Sequence, residues 1–186
     1  PLEIIDEMGA DALRFSLMML AATDVYLTRQ KFEMGRNFTN KIWNASSFVF
    51  GNLTDFQDVG FPYEAEYTAI DKWILSERDE TIKNVDEHLS SFRFYDAANA
   101  VYHFFWHSFC DWYLELAKPA LLGKGGHKQA VQSVLVSVLE RALRLLHPFM
   151  PFMTEEIWQL MKVNLTSGRF AKDSIMLSEW PKPAFG

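Results

Sequence analysis

Cysteine is nearly absent from this chain: of 186 residues, only Cys110 carries a thiol. No internal disulfide can form, so packing must hold the fold, which fits a reducing compartment. Long apolar runs are also absent. The most apolar window, Leu13 to Ala22, is broken by Arg14 and Ser16 and falls short of the roughly 18 residues a membrane span needs. Nothing resembles a signal peptide. Excess positive charge is missing too. The net charge of −6 argues against the broadly basic surface of a non-specific nucleic-acid binder. No internal repeat or low-complexity block is visible. Nor is there a phosphate-cradling loop, because Gly123-Lys124-Gly125-Gly126 runs on into His127 and Lys128 with no strand before it.

What the chain has in quantity is apolar surface, 49% hydrophobic and 15% aromatic. That excludes general disorder and fills one sizeable core, with or without a small appendage. The first residue is Pro1 rather than Met and helix-like sequence follows at once, so the chain reads as a piece of a longer protein. Charge is uneven. Residues 29–41 hold Arg29, Lys31, Arg36 and Lys41 against Glu33 alone, and Lys118 to Lys128 holds three lysines and no acid. Two basic spots on an acidic body suit selective docking of a structured polyanion, although scattered solvated charges would look the same.

Periodicity predicts helices nearly throughout. Leu2, Ile5 and Met8 form a short apolar face that Gly9 ends. Ala10 to about Ala22 is apolar nearly all round and reads as a buried helix, followed by a connection from Thr23 to Lys31. A long helix is expected from about Glu33 to Asn52, then a loop over 54–67 marked by Asp55, Asp58, Gly60 and Pro62. Thr68 and Asp71 make a capping-box pattern for a helix to about His88, with Ile70, Ile74, Thr81 and Val85 inward. The next helix should run from Tyr95 to about Lys118 on a spine of Ala98, Phe105, Phe109, Trp112 and Leu116. After Pro119 and a glycine hairpin, a helix from about Lys128 to Leu146 buries Val131, Val138, Ala142 and Leu145. Thr154 is expected to cap a short helix ending near Lys162, and Ser174 to Leu177 reads as a short strand. The fold class is therefore all-α, an antiparallel helix bundle with a small C-terminal appendage.

Two stripes do not fit a plain bundle. On the helix from Glu33, Phe38, Ile42, Ala45 and Val49 share one face, while Asn37, Lys41 and Asn44 share another with Phe48. An aromatic ring among amides and a cation suits a core poorly and suits stacking on a base well. On the helix from Tyr95, His107, Asp111, Leu114 and Lys118 align, with Glu115 beside them. A base could pack on Leu114 while a carboxylate reads its edge. The plainer alternative is that Phe48 and Leu114 each touch another helix. His103 and His107 stand one turn apart with Cys110 nearby, a spacing metal-binding helices use. No further ligand or hydrolytic Glu accompanies them. No metal site and no catalytic residue are expected, and the histidines read as partly buried hydrogen-bonding groups.

The order Gly9-Ala10-Asp11-Ala12-Leu13-Arg14-Phe15, Arg36-Asn37-Phe38 and Trp43-Asn44-Ala45 resembles class I aminoacyl-tRNA synthetases of the valine, leucine and isoleucine group. His147-Pro148-Phe149-Met150-Pro151-Phe152 and Thr154-Glu155-Glu156-Ile157-Trp158 match that group again. The run Trp106-His107-Ser108-Phe109-Cys110-Asp111-Trp112-Tyr113 is similar to its valyl members in particular. The resemblance covers essentially the whole chain. It implies a bundle of the class I synthetase anticodon-binding type: 1–22 as a connecting, stem-contact region after the catalytic domain, 23–163 as the anticodon-binding domain, and 164–186 as appendage and linker.

The function so implied is binding and positioning of the anticodon stem-loop of valine tRNA. It also implies contact with the catalytic domain of the same chain, no membrane, a monomer, and a parent enzyme that ligates valine to tRNA using ATP with magnesium. No cofactor is expected in this segment itself. The resemblance sets Phe48 against the anticodon and adds Leu114 and Glu115. Arg36, Lys41 and Lys118 are expected at phosphates, Arg29 and Lys31 as supplements, and Asn44 and Ser47 in the same contact region. Ser47, Tyr26 and Gln30 stand where the family has basic residues, so fewer phosphate contacts are expected there. The alternative is a structural or protein-interaction bundle without RNA binding of its own.

Overall fold

The computed structural model describes residues 1–20, 28–56, 64–165 and 172–184. Its helices are α1 (Leu2–Met8), α2 (Ala10–Leu20), α3 (Arg29–Gly51), α4 (Ala69–Ser90), α5 (Phe94–His103), a π-helix (Phe104–Tyr113), α6 (Leu114–Leu121), α7 (Gly126–Leu146) and α8 (Pro151–Asn164). Among the described residues there is no strand, in keeping with the all-α expectation. The strand expected at Ser174 to Leu177 is instead a 3-10 turn over Ile175–Leu177, opened by the Ser174 hydroxyl accepting from Met176 N at 3.1 Å. Tyr26, the Ala22 end of the second expected helix, residues 23–27 of the expected connection and 57–63 of the expected loop lie outside the described residues.

Several boundaries follow local chemistry. Gly9 ends α1 with φ of 91°, a conformation that costs a glycine little. Thr68 and Asp71 form the expected capping box at α4. The Asp71 carboxylate accepts from Thr68 N at 2.8 Å and, with its other oxygen, from the buried Tyr113 hydroxyl at 2.7 Å. Proline opens α8 at Pro151, where its missing N–H costs nothing. Thr154, expected as the cap, lies inside that helix and donates to the Met150 carbonyl at 2.8 Å. The cap comes from a distant element: Phe152 N and Met153 N donate to the Asp11 carboxylate at 3.3 and 2.6 Å. Arg14 of α2 also donates to the Pro148 carbonyl at 3.1 Å. The stretches Gly9–Phe15 and His147–Phe152 therefore form one joint.

Two expectations about α2 and α4 are corrected. The α2 helix buries Asp11, Ala12, Phe15 and Ser16 but leaves Leu17 exposed, because only one face meets α3. That meeting is close. Gly35 N donates to Ser16 Oγ at 3.1 Å, and the Phe15 and Phe38 ring centroids lie 4.8 Å apart. Ile70 is exposed rather than inward, since it sits on the first turn of α4 at the bundle's edge.

The main departure lies in the helix expected to run unbroken from Tyr95. Its middle, Phe104–Tyr113, is π-helical. Bonds from i to i+5 put more residues in each turn, so the inward stripe advances by four residues each time. Phe105, Phe109, Tyr113, Ala117 and Leu121 are buried. Trp112 and Leu116, expected in the core, are turned outward at 62% and 44% exposure. They join Ala69, Ile70 and Trp73 around an apolar groove of about 370 Å³.

Candidate nucleic-acid interface

α3 and the π-helix with α6 lie side by side, and a cleft of about 210 Å³ opens between them. Lys41, Asn44, Ala45 and Phe48 line it from α3; Cys110, Leu114, Glu115 and Lys118 line it from the other side. Part of each anomalous stripe thus faces the other, Lys41, Asn44 and Phe48 opposite Leu114 and Lys118, whereas Asn37, His107 and Asp111 do not line the cleft. Phe48 is half-buried, packed on the core by one face. Leu114, expected to project outward, is 7% exposed and forms the cleft's floor, because the wider π turn draws it toward α3. The cleft is smaller than the roughly 300 Å³ at which small-molecule sites begin, so it suits one flat ring better than a cofactor. A larger cavity of about 500 Å³ beside α4, lined by Glu64, Tyr67, Lys72, Asp79 and Lys83 among others, contains no residue of either stripe.

Every lysine of the cleft is already paired. Lys41 Nζ donates to Asp111 Oδ1 at 2.8 Å, and Lys118 Nζ reaches both Glu115 oxygens at 2.7 Å. The Lys118–Glu115 side chains are 48% and 60% exposed; such a pair is worth less than about 1 kcal/mol. The pair can therefore be opened at little cost. Burial pushes the Asp111 carboxyl up, but hydrogen bonds from Lys41 and His107 outweigh it and hold the group below the usual carboxylate range. Burial pushes the Cys110 thiol up to about 12, so at neutral pH it is an inert apolar wall rather than a nucleophile.

The remaining expected residues are not brought to this cleft. Ser47 is exposed on α3 but does not line it. Arg36 is exposed and precedes Phe48 by twelve residues, ~18 Å along a helix rising 1.5 Å per residue. Arg29 and Lys31 lie farther still, in the first turn of α3, where Arg29 forms an ion pair with Glu7 of α1. His103 and His107 are exposed, not partly buried; their rings lie 5.4 Å apart, and His107 Nδ1 is 3.1 Å from Asp111 Oδ2. Among the described residues no group of three or more His, Cys, Asp or Glu side chains could hold a metal. No described helix is long and apolar enough to cross a membrane. Ala45 and Cys110 were missed as cleft residues, because helical phase put Ala45 on the core face and the π turn shifts Cys110.

The described residues form a helical bundle whose cleft holds one aromatic ring, an aliphatic floor, a carboxylate and two paired lysines. Residues 71–185 match the family described as the anticodon-binding domain of tRNA ligase, and the chain belongs to that family. Several relatives it matches in sequence are valine–tRNA ligases. It is 47% identical over 184 residues to that of Thermotoga maritima and likewise to that of Fervidobacterium nodosum, in each case over 98% of this chain and 20% of the relative. To the valine–tRNA ligase of Agrobacterium fabrum it is 44% identical over 188 residues, covering 100% of this chain and 19% of that one. The chain thus spans about a fifth of the length of these relatives. A solved Agrobacterium radiobacter LeuRS–tRNA–LeuAMS ternary complex shares the fold with a TM-score of 0.70, at 20% identity over 99% of this chain and 21% of that one.

Proposed function

We propose that this chain binds and positions the anticodon stem-loop of valine tRNA, as part of a cytoplasmic, monomeric valine–tRNA ligase that attaches valine to tRNA using ATP. The observation that carries the reading is the cleft itself, in a chain of the anticodon-binding family. A half-buried ring, Phe48, faces an aliphatic floor, Leu114, with amide, carboxylate and lysines around them. An unstacked loop base would stack on Phe48 and rest on Leu114, while Asn44 and Glu115 read its edge. Lys41 and Lys118 would meet phosphates at the rim, with Arg36 and, more remotely, Arg29 and Lys31 along α3. Ligation and ATP with magnesium would belong to the catalytic domain, which residues 1–22 would join to the bundle over 23–163, with 164–186 leading away from it.

The test is a titration of the chain with a valine anticodon stem-loop and with an anticodon-scrambled stem-loop at matched salt. The matched loop should bind more tightly, and Phe48→Ala should cost about 1–3 kcal/mol of that affinity, the usual worth of one stacked base. Unchanged affinity in a folded F48A variant would remove the stacking role.

A second reading, a protein-interaction bundle, is favoured by one feature, the exposed apolar groove of Ile70, Trp73, Trp112 and Leu116. Equal binding of both stem-loops would support it over the first.

A further inference from the structure

The cleft's two lysines differ in how they are held. Among the described residues, Lys118 is paired with Glu115 alone, three residues away on its own helix, and both side chains are about half exposed. Lys41 is held by two side chains of the neighbouring π-helix. Its ammonium donates to Asp111 Oδ1 at 2.8 Å and stands 5.1 Å from the centroid of the Trp106 ring. Both holders have further partners. His107 Nδ1 lies 3.1 Å from the other oxygen of Asp111, and His103 backs His107 at 5.4 Å between rings. Trp106 packs on Tyr102 at 5.5 Å and stacks on Phe38 at 6.2 Å, which seats it on the core. Among the described residues, Lys41 is the cleft lysine restrained by groups from a second helix that do not line the cleft.

We infer that Asp111 and Trp106 are positioning residues of this site: they hold the Lys41 ammonium at the cleft's rim, ready to meet a phosphate of the docked strand. The inference rests on the RNA-binding reading above. A lysine carries its charge on a flexible four-carbon stem, and ordering such a side chain on docking weakens binding. Restraint beforehand removes that loss. The ammonium keeps hydrogen-bond donors beyond the one given to Asp111, because it has three.

The opposite view is plain electrostatics. Asp111 would be only a negative charge beside a polyanion's path, and its removal would free Lys41 and strengthen binding. The two views predict opposite signs. If Asp111 positions Lys41, Asp111→Ala weakens stem-loop binding about 2- to 12-fold, the ordering loss of one long side chain. The salt slope falls by nearly one counterion only in Lys41→Met, which removes the phosphate contact itself. Trp106→Leu weakens binding in the same way as D111A, Asp111→Glu restores most of the loss, and D111A adds nothing in a chain already carrying Lys41→Met. Tighter binding with a steeper slope in D111A would overturn the inference.

A measurement without RNA separates this from the parent reading. The Lys41 ammonium should give a slowly exchanging nitrogen–proton NMR signal in the native chain that disappears in D111A. A native chain that binds no stem-loop but shows this signal would refute the RNA reading while leaving the restraint intact. A Lys41 signal unchanged by D111A would refute the positioning role itself.

Discussion

Replacing Gly35 by alanine tests the packing that sets the cleft's α3 wall. A β-carbon on Gly35 would lie 2.2 Å from the Ala12 carbonyl oxygen, 2.9 Å from its carbon and 2.5 Å from Ser16 Oγ. The serine hydroxyl can rotate away, but the carbonyl belongs to the α2 backbone. Relief requires the two helices to part by roughly 1 Å, which forfeits a quarter to a half of each dispersion contact at that seam. The Phe15–Phe38 contact and the Ser16 bond to Gly35 N lie on the same seam. Overpacking of this kind costs up to about 3 kcal/mol, and alanine's better helix propensity returns about 1 kcal/mol. A net loss of about 2 kcal/mol should lower the melting temperature by about 4–8 °C in a chain of this size. Circular dichroism through thermal unfolding reads it directly. Gly51→Ala is the control: nothing lies within 4 Å of its β-carbon, so only the propensity gain should appear. A G35A chain as stable as the native one would show that α2 and α3 do not approach so closely, and the seam described here would be wrong.

The register of the π-helix is open to a paired test. Trp112→Ala should change stability by less than about 0.5 kcal/mol because the ring is exposed. Tyr113→Phe, which strips the buried hydroxyl from Asp71, should cost about 1–3 kcal/mol in urea unfolding; the reverse ranking would place the stripe one residue off. A separate test concerns acid. Burial pushes the Glu155 carboxyl up, but hydrogen bonds from Gln159, Ser174 and Ile175 N outweigh it and leave the group below its usual 4.5. Its stabilisation is therefore fully present above about pH 4.5 and is lost as pH falls through the lowered folded-state value. The urea midpoint of Glu155→Gln should lie below the native one at pH 7 and converge with it toward pH 3; a gap independent of pH would refute the assignment.

How far the sequence could be read depended on whether α-helical phase held. It held for α3, where Phe38, Ile42, Ala45 and Val49 are all buried and Lys41, Asn44 and Phe48 reach one side. The Thr68–Asp71 box was equally legible, because its signal is local. It failed where the hydrogen-bond register changes. Nothing in Phe104–Tyr113 marks an i to i+5 helix, so Trp112 and Leu116 were assigned inward and Tyr113 received no structural role. It failed again at α8, whose cap Asp11 is supplied from the far end of the chain. Of the site residues, those within two turns of Phe48 or one turn of Leu114 on the same stripe could be found by phase. Arg29, Lys31 and Arg36 rested on local charge density, which says nothing about distance along a 23-residue helix.

The chain's net charge of −6 and its proposed polyanionic ligand are reconciled by the pairing in the cleft. Lys41 and Lys118 each face a carboxylate within 2.8 Å. At a distance of one screening length, roughly 8 Å in physiological salt, such pairs present almost no net field. Under the proposed function these two pairs add little long-range attraction for RNA, unlike a basic groove. The contacts it would rely on are short-range: stacking on Phe48, the floor at Leu114, and exchange of a weak surface ion pair for a phosphate. Each of those requires a base already splayed from its neighbours and a phosphate at a set distance. On this reading the acidic body is part of the discrimination, because a duplex or a wrongly shaped loop meets repulsion without the contacts that offset it.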